Sequence, residues 1–372
     1  MAAAAKSKKK KSLVQSLLVG KNVLYALLVF VPVAIGLGLS HASPTWVFVT
    51  CCLAILPLAG LMGEATENLS HHVGPNIGGL LNATFGNAAE LIIAFMALRA
   101  GEQEIVKASL TGSIIGNMLI VLGLAMLLGG WKHKELKFSP IAAESSSSMM
   151  VLAVVALVIP AVFATVTHHK EAVELESISF DISWVLLATY VASLIFQLKT
   201  HAYLFHVEGE DPAHEIEGGD VWKKQTSFIV LFVAAALVGW VAEFLVHAVD
   251  QAGHAMGLGK VFMGVVVVAI VGNAAEHSTA VLVAMRGKMD LALNIAMGSS
   301  MQIALFVAPV LVIAGHWMGQ PLGLEFTILE VVAVMLSVGA VALLVHDGKT
   351  NWFEGLQLIA IYAILAIAFF YI

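Results

Sequence analysis

Charged residues are scarce in this sequence: only 12% of its 372 residues are Asp, Glu, Lys or Arg, whereas 59% are hydrophobic. A soluble domain carries roughly 25% charged residues. The scarcity excludes a soluble globular protein of this size and indicates that the bilayer is its solvent. Cysteine is scarcer still, since Cys51 and Cys52 are the only two and are adjacent in one apolar run. This arrangement excludes a disulfide framework and argues against a thiolate metal site.

Long apolar runs recur from Asn22 to Ile372. A transmembrane helix needs about 20 mostly apolar residues, so we predict an all-α, polytopic membrane protein with about eleven transmembrane helices. The predicted spans are 22–40, 45–68, 76–98, 106–130, 146–166, 179–198, 224–248, 259–285, 289–315, 325–346 and 353–372. The run Ser145 to Ser148 is expected to open the fifth helix.

Lys and Arg are distributed unevenly between the two sides that these spans define. With the N-terminus inside, cytoplasmic segments hold fifteen of the 19 basic residues, and the opposite side holds Arg99, Lys107, Lys170 and Lys260. Because basic flanks are retained in the cytoplasm, we predict a cytoplasmic N-terminus, an external C-terminus and a location in the plasma (inner) membrane.

Two motifs recur at a constant offset. The segment 86–90, GNAAE, returns at 272–276, and the pair Gly112-Ser113 returns as Gly298-Ser299, both 186 residues later. A constant offset indicates a duplicated unit. Each unit holds five predicted helices, an odd number, so the repeats must be inverted. We predict helix one with the N-terminal basic segment in 1–43, a first repeat in 44–200, an acidic cytoplasmic linker in 201–222 and a second repeat in 223–372.

Glu90 and Glu276 lie inside apolar segments, where an unpaired carboxylate is unfavourable by several kcal/mol or more. Such residues usually mark an ion or proton path, although a protonated glutamate used for helix packing is an alternative. Inverted repeats place substrate at the bilayer midplane. The two glutamates are therefore predicted to meet there and bind one cation and protons.

Several neutral oxygen donors accompany the glutamates. Asn87 and Asn273 precede them by three residues on the same helical face, and Ser113, Ser299 and Gln302 lie on the following helices. Carbonyls freed at breaks near Gly112 and Gly298 are further expected donors. This hard-oxygen set suits calcium, sodium or manganese. Interhelical hydrogen bonding is the alternative role for the asparagines, and close packing is the alternative for the serines and glycines.

A looser pair of motifs lies on predicted helices two and seven. Glu67 and His71, like Glu243 and His247, are spaced i, i+4 and share a helix face. Each pair is predicted to line one vestibule as a gate or proton path, with a structural salt bridge as the alternative. His277 follows Glu276 and points about 100° away, which favours a supporting position beside the site.

Four segments carry the signature of a known family: residues 79–98, GLLNATFGNAAELIIAFMAL; 110–123, LTGSIIGNMLIVLG; 272–281, GNAAEHSTAV; and 298–312, GSSMQIALFVAPVLV. Together they resemble the paired signature regions of the calcium/proton exchanger (CAX) family, within the calcium/cation antiporter superfamily, and the short N-terminus resembles bacterial members. The resemblance implies that Glu90 and Glu276 bind the cation, that Asn87, Asn273, Ser113, Ser299 and Gln302 support it, and that helices two and seven are moving gates.

We therefore expect a secondary transporter that exchanges Ca²⁺ for H⁺, with both ions as transported substrates and no cofactor. A sodium-coupled exchanger of the same superfamily and a cation channel are the alternatives. We expect no enzyme activity, because an intramembrane hydrolase lacks support: there is no HExxH motif and no nucleophile with a paired base. The lipid bilayer is the expected partner, nucleic acid is not, and the sequence leaves homo-oligomerisation open. The linker acids favour a solvated connection, with a cation-sensing or cation-collecting element as the alternative, and the lysine-rich segment Lys6 to Lys11 has no assigned role.

Overall fold

The computed structural model describes residues 21–73, 75–166, 172–204 and 221–372 of the chain, and these ranges are almost entirely helical. Two helices have two segments each, labelled a and b. The helices are α1 Leu24–Leu39, α2 Pro44–Val73, α3a Pro75–Phe85, α3b Ala88–Arg99, α4 Gln103–Lys132, α5 Pro140–Val166, α6 Glu174–Thr200, α7 Lys224–Met256, α8a Lys260–Ala274, α8b Glu276–Met285, α9 Met289–Met318, α10 Ile328–Leu344 and α11 Trp352–Phe370.

The apolar helices confirm an all-α integral membrane protein. Within the described ranges, eight helices are long and apolar enough to cross a bilayer, and the bent pair α8a and α8b makes a ninth. The helices α1 and α10 are apolar but shorter. Every predicted span thus coincides with a helix, while the number of crossings stays a prediction.

The start of α5 corrects one sequence prediction. This helix begins at Pro140 rather than in the serine run 145–148. The Ser139 hydroxyl accepts a hydrogen bond from the Ala142 amide at 3.3 Å, and proline is favoured in the first helical turn because its missing N–H needs no partner. The Ser-Pro pair, not the serine run, is the start signal.

Among the eight long helices of the described ranges, α4 and α9 are the most deeply buried. The most apolar windows of α4 and α9 are 78% and 72% buried, whereas those of α6 and α11 are 28% and 22% buried. The long helices α2 and α7 pack along each other, and α7 also packs on α3b. Polar groups on α4 and α9 are therefore shielded from lipid by the surrounding protein.

Helical geometry is interrupted at equivalent places in the two halves, which we define as α2–α6 and α7–α11. In the first half, α3 breaks at Gly86 and Asn87; in the second, the chain bends by 65° between α8a and α8b. The helices α4 and α9 each contain a π-helical segment, at Gly116–Val121 and Ile303–Val307. Such segments often occur at functional sites.

The halves are tied together at both ends of the helices. On the predicted inner side, strands β1 Leu136–Lys137 and β2 Lys349–Thr350 pair antiparallel. On the predicted outer side, Lys107 contacts Glu325 at 2.7 Å and Lys260 contacts Glu102 at 2.5 Å.

Some predicted features cannot be placed in this architecture. The basic segment Lys6 to Lys11 lies outside the described residues, as do the linker acids Glu208, Glu210, Asp211, Glu215, Glu217 and Asp220. The domain boundaries proposed from sequence stay a prediction.

Candidate cation site

Both predicted glutamates lie at helix interruptions. Glu90 is in the first turn of α3b, directly after the break, and Glu276 is the first residue of α8b, directly after the bend. The break before α3b exposes the positive end of its helix dipole beside Glu90, which favours an anionic side chain there. Helical hydrogen bonding continues through the bend at Glu276. The repeated sequence therefore places a carboxyl group at corresponding interruptions in the two halves.

The glutamates face a common region between the halves. A Cβ atom built on Gly272 of α8a would lie 3.5 Å from Glu90 Cγ and 3.7 Å from its Oε1. Glu90 and Glu276 lie close enough for their charges to interact, and the Glu276 carboxyl contacts the Ser299 hydroxyl. The Oε2 atoms of both glutamates are buried and find no hydrogen-bond partner among the described residues. Each half thus supplies a carboxylate oxygen that is withdrawn from solvent and available to a ligand.

Asn87 bridges the break in α3 to the second half. Its amide nitrogen donates to Gln302 Oε1 at 2.6 Å, and its Oδ1 accepts from the Ser299 hydroxyl at 2.7 Å. Both partners belong to α9. Asn87 is only 2% exposed, so these bonds satisfy polar groups that would otherwise be buried without partners.

Asn273 makes the corresponding connection from α8 to the first half. Its amide nitrogen donates to the Ser113 hydroxyl of α4 at 2.9 Å and to the Ala269 carbonyl at 2.9 Å. Its Oδ1 accepts from Asn117 at 3.4 Å, and the Asn117 amide also donates to Ser299 at 2.9 Å. The two networks are thereby joined into one polar layer across the centre.

Asn117 is the member of this layer that sequence reasoning missed. The repeat offset places Ile303 opposite it, so the internal comparison gave no signal. Its position one turn after Ser113 on the same face of α4 could have revealed it. In this arrangement Asn117 and Gln302 have similar tasks in opposite halves, although they are one residue out of register.

The sequence left two roles open for Asn87 and Asn273, cation ligation and interhelical hydrogen bonding, and their hydrogen bonds are compatible with both. Both side chains form interhelical hydrogen bonds, which is the alternative role. Among the described residues, each amide oxygen accepts one side-chain hydrogen bond, and it has two lone pairs. One lone pair on each asparagine therefore stays compatible with a cation or a water.

The glycines on α4 and α9 do not create the breaks that the sequence suggested. Gly112 and Gly298 lie within continuous helix. A Cβ on Gly112 would collide with the Val265 backbone of α8a, whereas one on Gly298 would meet nothing within 4 Å. Gly112 therefore serves close packing of α4 against α8a. The irregular backbone lies just beyond, in the π-helical segments, where i→i+5 hydrogen bonding replaces the α-helical pattern.

The composition of the site limits the cation chemistry. Among the described residues, no group of three or more His, Cys, Asp or Glu side chains comes together. A cation held here would have two carboxylates and would take its other ligands from neutral oxygens or water. That donor set suits a hard cation such as Ca²⁺, which accepts carbonyl, carboxylate and water oxygens with flexible geometry.

The remaining predicted residues lie at the edge of this layer or away from it. The His277 Nε2 atom is buried and has no partner among the described residues. Glu67 and His71 are exposed side chains of α2. Glu243 and His247 of α7 line a separate cavity of about 210 Å³ together with Met96, Arg99, Ala100 and Val246. The structure thus brings one of the two i, i+4 pairs to a cavity.

Fold and site together define an integral membrane protein with paired interrupted helices around buried carboxylates, an arrangement found in secondary transporters. Comparison with known proteins agrees with this class. The profile of the family described as "Sodium/calcium exchanger protein" matches residues 43–199 and 226–371. The two matches cover most of the chain, and the chain therefore belongs to the sodium/calcium exchanger protein family.

Individual relatives extend over nearly the whole chain. A protein named Ca(2+)/H(+) antiporter from Synechocystis is 45% identical over 365 residues, covering 94% of this chain and 97% of the relative. The Ca(2+)/H(+) antiporter ChaA of Bacillus subtilis is 43% identical, covering 91% of this chain and 96% of the relative. The solved structure of native YfkE superposes with a TM-score of 0.82 at 40% identity, covering 94% of this chain and 100% of YfkE.

Proposed function

We propose that this protein exchanges cytoplasmic Ca²⁺ for external H⁺ by alternating access, with Glu90 and Glu276 as the shared binding site. The observation that carries the proposal is the pair of buried Oε2 atoms at the two helix interruptions, neither of which has a hydrogen-bond partner in the described part of the chain. The names of the relatives from Synechocystis and Bacillus subtilis support Ca²⁺ and H⁺ as the transported pair.

Charge balance explains why such a site would exchange ions. Two ionised glutamates with one Ca²⁺ are neutral, and so are two protonated glutamates without it. An empty, doubly ionised pair would hold two negative charges in a low-dielectric region, which is strongly unfavourable. Reorientation is therefore favoured only with cargo, and calcium movement in one direction is coupled to proton movement in the other.

The surrounding polar layer would shape the site. We assign Asn87, Asn273, Ser113, Ser299 and Gln302 as supporting groups that orient the helix interruptions and offer neutral oxygens. Their cross-half hydrogen bonds support this assignment. Those bonds join α3 to α9 and α8 to α4. A change in the ion bound at either glutamate would therefore alter the contacts of both halves.

The gate and proton path are assigned to α2, α7 and the edge of the site. Glu67, His71, Glu243 and His247 would serve them as exposed, titratable groups, and His277 would stand beside Glu276. The uneven distribution of Lys and Arg supports the plasma membrane orientation with a cytoplasmic N-terminus.

The deciding experiment is calcium flux in proteoliposomes that contain the purified full chain. An imposed pH gradient should drive Ca²⁺ against its own gradient, and collapsing the pH gradient with a protonophore should stop it. The Glu90→Gln, Glu276→Gln double variant is the matched negative control. Absence of pH-driven calcium flux in the wild type would refute the proposal.

Sodium coupling is the second candidate, because the matching family is described by sodium/calcium exchange. The same liposomes distinguish it: a sodium gradient at equal pH should leave calcium flux at background if protons are the coupling ion. Calcium uptake driven by sodium alone would favour this candidate. A linear single-channel conductance would instead indicate a channel.

A further inference from the structure

A small cavity borders Glu90 and carries two serine hydroxyl groups. Its volume is about 10 Å³, which is the space that one water molecule needs. The polar groups that line it are Glu90, Ser109 and Ser113, and its other lining residues, from α3b, α4, α8a and α9, are apolar or glycine. Ser109 is only 9% exposed. It has no role in the proposed exchange, and its position beside Glu90 therefore asks for an explanation.

The cavity lies one helical turn away from the polar layer, toward the predicted outer side. Ser109 precedes Ser113 by four residues on α4, and Ala269 precedes Asn273 by four residues on α8a, which is about 6 Å along each axis. Both helices are predicted to run inward from the outer side. Ile303 of α9, which is predicted to run outward, completes the same level beyond the layer. The cavity is therefore next to the glutamate site on its predicted outer face.

The three polar groups of the cavity have hydrogen-bonding capacity left for a water. The Ser109 hydroxyl donates to the Val106 carbonyl at 2.9 Å, so its oxygen can still accept a hydrogen bond. The Ser113 oxygen accepts from Asn273 at 2.9 Å, and the Ser113 hydroxyl proton has no acceptor in the described part of the chain. The Oε2 atom of Glu90 has no partner there either. One acceptor, one donor and one carboxylate thus border the cavity, and a buried water typically makes about three hydrogen bonds.

The second half does not repeat this arrangement. The offset of 186 residues pairs Ser113 with Ser299 but pairs Ser109 with Ile295, whose side chain has no hydrogen-bonding group. The Glu276 carboxyl instead contacts the Ser299 hydroxyl directly. A water in the equivalent place beside Glu276 would lack the acceptor that Ser109 supplies. The serine-lined cavity is therefore a feature of the first half, and it makes the surroundings of the two glutamates unequal.

We infer that this cavity binds one water molecule, that the water is a calcium ligand beside Glu90, and that Ser109 is the positioning residue that holds it. The inference rests on the proposed calcium/proton exchange and adds a ligand to its site. Glu90 borders both the cavity and the region shared with Glu276, so a cation on its carboxylate lies next to the water. Calcium accepts water oxygens in its shell. A water polarised by a cation donates a stronger hydrogen bond, so the bond to Ser109 strengthens when calcium binds.

The test measures the KM for calcium in proteoliposomes under a fixed pH gradient. Ser109→Ala should raise the KM about fivefold, the effect of one hydrogen bond, and leave the rate at saturating calcium unchanged. Ser109→Thr and Ser109→Val have nearly the same shape and differ in the hydroxyl group, so the KM of the valine variant should exceed that of the threonine variant about fivefold. Ser337→Ala is the matched control, because Ser337 is a buried serine of α10 that donates to the Ala333 carbonyl at 2.7 Å. Its KM should equal that of the wild type.

A structure of the calcium-bound full chain, at a resolution that shows ordered waters, tests the ligand directly. A water should lie within hydrogen-bonding distance of the Ser109 oxygen and in contact with the ion, and Ser109→Val should lack it. A wild-type KM in Ser109→Ala, equal KM values in the threonine and valine variants, or a bound ion without this water would each overturn the inference. These outcomes leave the flux of the wild type intact. Wild-type proteoliposomes without pH-driven flux would instead refute the exchange itself.

Discussion

The two helix interruptions share the sequence GNAAE but differ in local structure. At Gly86 and Asn87 the chain leaves helical geometry before α3b begins at Ala88, whereas helical hydrogen bonding continues through the 65° bend between α8a and α8b. Asn273 contributes to the difference, because its amide also donates to the Ala269 carbonyl one turn earlier. The same five residues therefore place a glutamate at corresponding positions although the backbone is broken in one half and bent in the other. The neighbouring helices decide which backbone conformation is adopted.

The largest expected effect is the loss of calcium flux when either glutamate is replaced. It tests whether the two helix interruptions, which differ in structure, are equally important for transport. Glu90→Gln and Glu276→Gln should each reduce pH-driven calcium flux by at least ~100-fold, because a divalent ion beside a single carboxylate keeps a net charge in a low-dielectric site. The double variant should be no worse than either one, since both glutamates act as a unit. Retention of near wild-type flux by one single variant would show that the halves are not equivalent at the site.

The equivalent glycines should differ in their effect on stability. A Cβ on Gly86 would lie 2.6 Å from the Asn82 carbonyl oxygen, whereas on Gly272 the closest atom is Glu90 Cγ at 3.5 Å. Gly86→Ala should therefore lower the free energy of unfolding by about 1–3 kcal/mol through a forced backbone shift, and Gly272→Ala by less than ~1 kcal/mol. Thermal unfolding in detergent measures both. Equal losses would contradict the proposed difference between the interruptions.

The equivalent serines provide the smallest comparison. Ser299 contacts Asn87, Asn117 and Glu276, whereas Ser113 has one side-chain partner among the described residues, Asn273. Ser299→Ala should reduce flux about 30-fold and Ser113→Ala about fivefold, since Ser299 takes part in two hydrogen bonds of the polar layer and Ser113 in one, and each contributes about 1 kcal/mol. Initial rates at saturating calcium measure the ratio. A larger loss for Ser113→Ala would reverse the asymmetry inferred here.

Much of the fold could be predicted from sequence because the bilayer imposes a simple rule. A run of apolar residues must form a helix to satisfy its backbone there, and each predicted span coincides with a helix. Glu90 and Glu276 could likewise be identified as candidate site residues from the sequence, since carboxylates inside apolar runs are rare enough to indicate function.

Contacts between neighbouring helices are harder to predict from the sequence. Close packing of Gly112 on the Val265 backbone, and the hydrogen bonds of Asn117, arise only when α4 meets α8. A glycine alone does not reveal whether it breaks a helix or lets another helix approach. Arg99 was counted among external basic residues, and its place beside Glu243 follows from the packing of α3b on α7.

Two helix starts are marked by local sequence signals rather than by the onset of an apolar run. Ser139-Pro140 precedes α5, and Thr327 with Glu330 forms a capping box at the start of α10. An apolar run does not define a helix end to within a turn, whereas these residues lie directly at the two starts.

The pairing of β1 with β2 has a consequence for a severed chain. Backbone hydrogen bonds join the loop after α4 to the loop before α11, and Asp290 Oδ1 accepts from the Ser139 amide at 2.6 Å beside them. Consider two fragments of the chain, one ending and the other starting between residues 205 and 220. Each fragment would carry one of the two strands, so that β1 of the first could pair with β2 of the second. We expect such fragments, expressed together, to copurify, and charge reversal at Asp290 to weaken their recovery.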